Sequence, residues 1–152
     1  MTRGRVNQNL LTEKAQSVRK MLEGISTLPL ESLDSFLEDP RMSAAGESYL
    51  RRALEALLDL GRHLLAKGFG IATTEYKEIA HRLGEVGVLP SEQTERFVQM
   101  AGYRNRLVHF YQEVTPKELH EILTQHVSDV EVILDSVLGW AEKNPDRVDP
   151  EL

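Results

Sequence analysis

The densest chemistry in the chain lies in Gly102-Tyr103-Arg104-Asn105-Arg106-Leu107-Val108-His109-Phe110-Tyr111, where arginines, an asparagine, a histidine and tyrosines surround a short apolar run. An imidazole, with an ordinary pKa near ~6.5, takes or gives a proton at neutral pH. A guanidinium stays charged and holds two oxygens of an anion at once. Together His109 and Arg104 suit proton transfer beside a developing negative charge. On a continuous helix Arg104 and Tyr111 share a face, whereas Arg104 and His109, five residues apart, diverge by about 140°. A compact site therefore requires a kink or a second subunit. Arginine and histidine near a helix end also serve simply as a cap or a salt bridge.

Other constellations are poorer. His63, His81, His109, His120 and His126 include no pair three or four residues apart. Glu78-Ile79-Ala80-His81 matches one half of a di-iron bundle motif, but that site needs a second copy on another helix and the sequence has none. No metal site is expected. Gly-rich phosphate loops and Gly-x-Ser-x-Gly elbows are missing, so no cofactor is expected either. Asp59 and His63 lie four apart in a leucine-rich run and read either as an inward polar pair or as a solvated stripe with Arg62.

The elements that must position these residues belong to a chain of 152 residues, one domain's worth. Eighteen Lys and Arg against 24 Asp and Glu leave a formal charge of −6, with 41% hydrophobic and 28% charged residues. That balance supports a packed core and disfavours broad, nonspecific nucleic-acid binding, while leaving room for a small basic site. The absence of cysteine excludes disulfides, thiolate nucleophiles and cysteine metal sites. Met1 to Asn9 is basic and polar without an apolar core behind it, and no apolar run reaches the ~18 residues of a membrane span, so the expected location is the cytoplasm.

Helical periodicity fits almost everywhere, and strand signals are nearly absent. Leu11, Val18 and Ile25 recur every seven residues and predict a helix from about Val6 to Gly24. A short helical piece over Ser32 to Glu38 is expected to stop at Asp39-Pro40, because proline disfavours helix in the residue before it. Leu50, Leu54, Leu57, Leu58, Leu64 and Leu65 predict a long core helix over Ser43 to Lys67, closed by Gly68-Phe69-Gly70. Thr73 to Leu83 follows, then a break at Gly84, Gly87 and Pro90, then Ser91 to about Phe110. Thr115-Pro116-Lys117-Glu118 reads as a capping box that opens a last helix running past Trp140. The expected fold is all-α, an antiparallel bundle of four to five helices, with residues 1–144 as one domain and 145–152 as a polar tail.

Arg104-Asn105-x-x-x-His109-x-Tyr111 resembles the Arg-x-x-x-x-His-x-Tyr signature of the HepT toxins, a branch of the HEPN superfamily of small helical bundles, and the helical layout of roughly residues 5 to 142 resembles theirs. The resemblance implies the toxin of a HepT/MntA-type toxin–antitoxin system: a metal-independent endoribonuclease working as a homodimer, with two copies of the motif facing across the interface. Its implied partners are RNA and a minimal nucleotidyltransferase antitoxin. Carried over by position, Arg104 and His109 are the catalytic pair, Asn105 supports them, and Tyr111 is the tyrosine that the antitoxin adenylylates. Cleavage would use the RNA 2′-OH as nucleophile, with His109 as acid or base and Arg104 as phosphate clamp. Asp59 is carried as a supporting partner that orients Arg104, although the signature does not contain it. The alternatives are a non-catalytic HEPN module that binds a nucleotide or a protein, and a structural helical dimer in which the same residues only pack. The segment from Pro29 to Met42 has no assigned role.

Overall fold

Asn7 opens the first helix: its Oδ1 accepts the Leu10 N–H at 3.0 Å, satisfying one of the donors a helix start leaves unpaired. The computed structural model describes residues 4–109 and 113–150. Helix α1 (Gln8–Ser26) turns Leu11, Ala15, Val18 and Ile25 inward, and α2 (Leu33–Glu38) is capped by Ser32. Helix α3 (Pro40–Phe69) starts earlier than the sequence suggests. Pro40 occupies the first helical position, where its missing N–H costs nothing, and Asp39 caps the turn through Arg41 N–H at 3.0 Å. The far end stops at Gly70, whose φ of 67° is a left-handed conformation that glycine adopts without steric cost.

Helix α3 is the axle of the molecule. Leu50, Leu54, Leu57, Leu58, Leu60, Leu64 and Leu65 are all fully buried, and a buried leucine contributes about 1.5–3 kcal/mol relative to an exposed one. Helix α1 runs antiparallel to it, since the Asn7 N–H donates to His63 Nε2 at one end and Gly24 faces the Tyr49 ring at the other. Helices α4 (Tyr76–Glu85) and α5 (Ser91–Val108) also pair antiparallel, with Gly84 against Thr94 and Lys77 beside Gly102. Gly87, at φ 84°, makes the turn between them. Helix α4 sits on α3 where Gly61 has no side chain and the methyls of Ile79 and Leu83 take its place.

The single last helix expected from Thr115 onward is two helices, α6 (Pro116–Gln125) and α7 (Val127–Lys143), broken at His126. The weak helix formers Thr124, His126, Val127 and Ser128 allow the break, and packing demands it. Helix α6 lies on α2 and α3, whereas α7 lies on α5, α3 and α1. The bend also brings Asp129, in the first turn of α7, within 2.6 Å of Arg96. Four long helices, α1, α3, α5 and α7, thus carry the all-α bundle, and α2, α4 and α6 fill its sides. The Pro29 to Met42 segment ties α2 to α6, because Phe36 is fully buried and stacks obliquely on His120, whose Nε2 lies 3.0 Å from the Leu30 carbonyl.

Part of the stretch read as a polar tail is structured. A 3-10 turn (Pro145–Arg147) leads into β2 (Val148–Asp149), which pairs in parallel with β1 (Val6–Asn7), and both valines are buried. Among the described residues no helix is long and apolar enough to cross a membrane.

Candidate functional site

Helix α5 ends at Val108, short of the expected Phe110, so His109 is the residue that caps it. His109 leaves the helix with φ −102° and ψ 97° while its N–H still donates to the Asn105 carbonyl at 3.2 Å. Arg104, Asn105 and His109 of one chain line the same cleft of about 470 Å³, together with Tyr76 and Lys77 from α4. An adjoining cleft of about 430 Å³ shares Lys77, Asn105 and His109 and extends to Arg106 and Tyr103. Tyr111 lies outside the described residues.

Arg104 is held from three sides. Its Nε and Nη2 donate to Glu55 Oε2 at 3.1 and 2.9 Å, its Nη1 donates to Asn105 Oδ1 at 3.4 Å, and its guanidinium lies 4.5 Å from the centre of the Tyr76 ring. Charge-assisted bonds and cation–π contact both orient the flat guanidinium. Glu55 uses its other oxygen for Arg51 at 2.9 Å, so it is braced along its own helix. The Arg104 and Glu55 side chains are each only 24% exposed, which strengthens the pair relative to a surface bridge.

No hydrogen bond or ion pair joins Asp59 to Arg104. Asp59 instead accepts the Tyr76 hydroxyl at 3.0 Å and pairs with Arg62 at 3.3 Å, with Lys14 at 4.0 Å. It therefore reaches Arg104 only through the Tyr76 ring, and the direct partner is Glu55, one turn earlier. Burial, helped by the Asp59 hydrogen bond and charge, pushes the Tyr76 phenol above its ordinary pKa, so it remains a donor. Asp59 and His63 do not form a pair: His63 turns to Asn7, and burial followed by the Lys67 charge depresses its pKa.

The capping box at Thr115 forms by half. Thr115 Oγ1 accepts the Glu118 N–H at 3.1 Å, but the Glu118 carboxylate turns to Arg106, at 2.6 and 2.7 Å to its two terminal nitrogens. That bidentate bridge clasps the end of α5 to the start of α6, and it holds Glu118 below the usual carboxylate range. No group of three or more His, Asp or Glu side chains among the described residues is placed to hold a metal ion.

Sequence reasoning missed Glu55 and Tyr76. Glu55 belongs to a row of charges, Arg51, Glu55 and Asp59, spaced four apart beside the leucine stripe, and that row was its only signal. Tyr76 reads as an ordinary apolar position, and its partners lie far away in sequence.

The family model for ribonuclease HepT-like proteins matches residues 13–137. The tRNA nuclease HepT of Aphanizomenon flos-aquae is 24% identical over 111 residues, covering 72% of this chain and 75% of that protein. Among solved structures, the tri-AMPylated HEPN toxin of Shewanella oneidensis in complex with MNT antitoxin superposes with a TM-score of 0.79 at 18% identity, over 87% of this chain and 98% of that one. YutE of Bacillus subtilis, a cytosolic protein of unknown function, gives a TM-score of 0.72 at 14% identity over 92% and 94% of the two chains. At these identities the structural likenesses establish a shared fold.

Proposed function

The chain belongs to the ribonuclease HepT-like family, and on that premise we propose that it is the toxin of a toxin–antitoxin pair, an endoribonuclease whose working groups are Arg104 and His109. The observation that carries this reading is the convergence of Arg104, Asn105 and His109 on one cleft, with Arg104 already oriented by Glu55 and Tyr76. The relative from Aphanizomenon is a tRNA nuclease, which supports RNA as the substrate class.

The chemistry needs no metal. An imidazole takes the proton from the RNA 2′-OH, whose oxygen attacks the adjacent phosphorus; the bond to the 5′-oxygen breaks, and that oxygen receives a proton. The products are a 2′,3′-cyclic phosphate and a 5′-hydroxyl. Arg104 stabilises the extra negative charge on the phosphorane as it develops. One His109 serves one proton transfer at a time, so a homodimer that faces two copies of the motif supplies both the base and the acid.

The proposed inhibitor is a minimal nucleotidyltransferase antitoxin, as in the AMPylated Shewanella complex. Adenylylation of Tyr111, two residues beyond His109 in the sequence, would add a bulky anion to the motif and so compete with RNA by both charge and volume.

Induced expression in a host without the partner tests this reading, with growth and RNA integrity followed together. Wild type is expected to arrest growth and fragment RNA, while soluble Arg104→Ala and His109→Ala chains do neither. A harmless, soluble wild type with intact RNA contradicts it and favours a binding module.

A further inference from the structure

Two clefts meet at Lys77, Asn105 and His109, and the Lys and Arg side chains around them are unequal. Of the four that line the clefts among the described residues, Arg62 is paired with Asp59, Arg104 with Glu55 and Arg106 with Glu118. Lys77 is exposed and no carboxylate among the described residues pairs with it. Its neighbour Glu78 is engaged by Arg82 at 3.1 Å. Glu75 is the one carboxylate on the lining of either cleft among the described residues.

The end of the Lys77 side chain lies against the helix opposite. Its side chain runs across α5 at Gly102, where the position of a Cβ would lie 3.4 Å from Cε and 3.8 Å from Nζ. A Cβ at 102 would sit in ordinary van der Waals contact with the end of the lysine side chain. Gly102 is three residues before Asn105, so the ammonium is carried over the helix face that leads to the motif.

Resting on the ribonuclease reading, we infer that Lys77 is a second phosphate-binding cation of the RNA site beside Arg104, seated between two nucleotide subsites formed by the adjoining clefts. A strand laid across the shared rim places one nucleotide in the 470 Å³ cleft against Tyr76 and the next in the 430 Å³ cleft against Tyr103, with the joining phosphate at Lys77, Asn105 and His109. Arg104, with two donors committed to Glu55, orients one face toward the reacting phosphate. Lys77 supplies the uncommitted charge that draws the strand in.

The test is binding of a short fluorescein-labelled single-stranded oligoribonucleotide over a salt series, in a His109→Ala background that cannot cut it, alongside cleavage kinetics in the otherwise wild-type chain. Lys77→Ala is expected to weaken binding several-fold, to lower the slope of log Kd against log salt by about 0.7, the value for one single-strand phosphate contact, and to raise KM with little change in kcat. Lys77→Arg should keep both affinity and slope, because it keeps the charge. Unchanged affinity and slope in Lys77→Ala, with His109→Ala still abolishing cleavage, overturn the Lys77 assignment and leave the ribonuclease reading standing. A parent chain that neither binds nor cuts the RNA overturns both.

Discussion

A single carboxylate oxygen, Oε2 of Glu55, receives both Nε and Nη2 of Arg104, at 3.1 and 2.9 Å. The pair spans 49 positions of sequence and joins the central helix α3 to the C-terminal end of α5. It fixes which edge of the guanidinium faces the cleft, and it also draws charge away from that edge. The two effects have opposite consequences for substrate, so they are separable by kinetics.

Glu55→Gln is expected to lower kcat by on the order of 10- to 100-fold, the scale at which small misplacements of a catalytic group act, while KM stays constant or falls because Arg104 recovers its full charge for the phosphate. Asp59→Asn keeps an acceptor for the Tyr76 hydroxyl but loses the charge that pairs with Arg62 and Lys14, so it should lower kcat less than Glu55→Gln and cost no more than about 1 kcal/mol of stability, the scale of a partly exposed ion pair. Steady-state kinetics and thermal melts of the two variants check this. A larger kcat loss for Asp59→Asn than for Glu55→Gln would contradict the order of contacts around Arg104.

His63 makes stability depend on pH. Its Nε2 accepts the Asn7 N–H at 2.8 Å, which requires that nitrogen to be unprotonated, and burial depresses its pKa in the folded chain. The unfolded chain binds the proton near ~6.5, so between the folded and unfolded values it holds more protons than the folded one. Stability is then fully present above that unfolded value and is lost as pH falls toward the folded one. Melting curves should show Tm falling below about pH 6.5, with a flatter profile in His63→Gln, which keeps an acceptor but does not titrate. Superimposable pH profiles for the two chains would remove His63 as the origin.

The helical class could be read from periodicity because the buried positions of α1 and α3 repeat at three and four residues. What could not be read came from tertiary demands. The break at His126 exists because α6 and α7 pack on different neighbours, and no local signal compels it. Pro40 stops α2 at Glu38 as expected and also starts α3, ahead of the expected Ser43, since proline is tolerated at the first helical position. At the site, Arg104, Asn105 and His109 are visible as a cluster of types, and their shared cleft is visible only in the fold. Tyr76 and Lys77 reach the clefts from α4 and Glu55 reaches Arg104 from α3, so their part in the site follows from packing and not from spacing.

The central claim, that Arg104 and His109 cleave RNA through its own 2′-OH, is tested most directly by incubating purified protein with an oligoribonucleotide in excess chelator and identifying the ends of the fragments. Wild type is expected to cleave in chelator and to leave fragments ending in a 2′,3′-cyclic phosphate and beginning with a 5′-hydroxyl, whereas folded Arg104→Ala and His109→Ala chains leave the RNA whole. Cleavage that vanishes with chelator, leaves 5′-phosphate ends or survives the loss of His109 would contradict it.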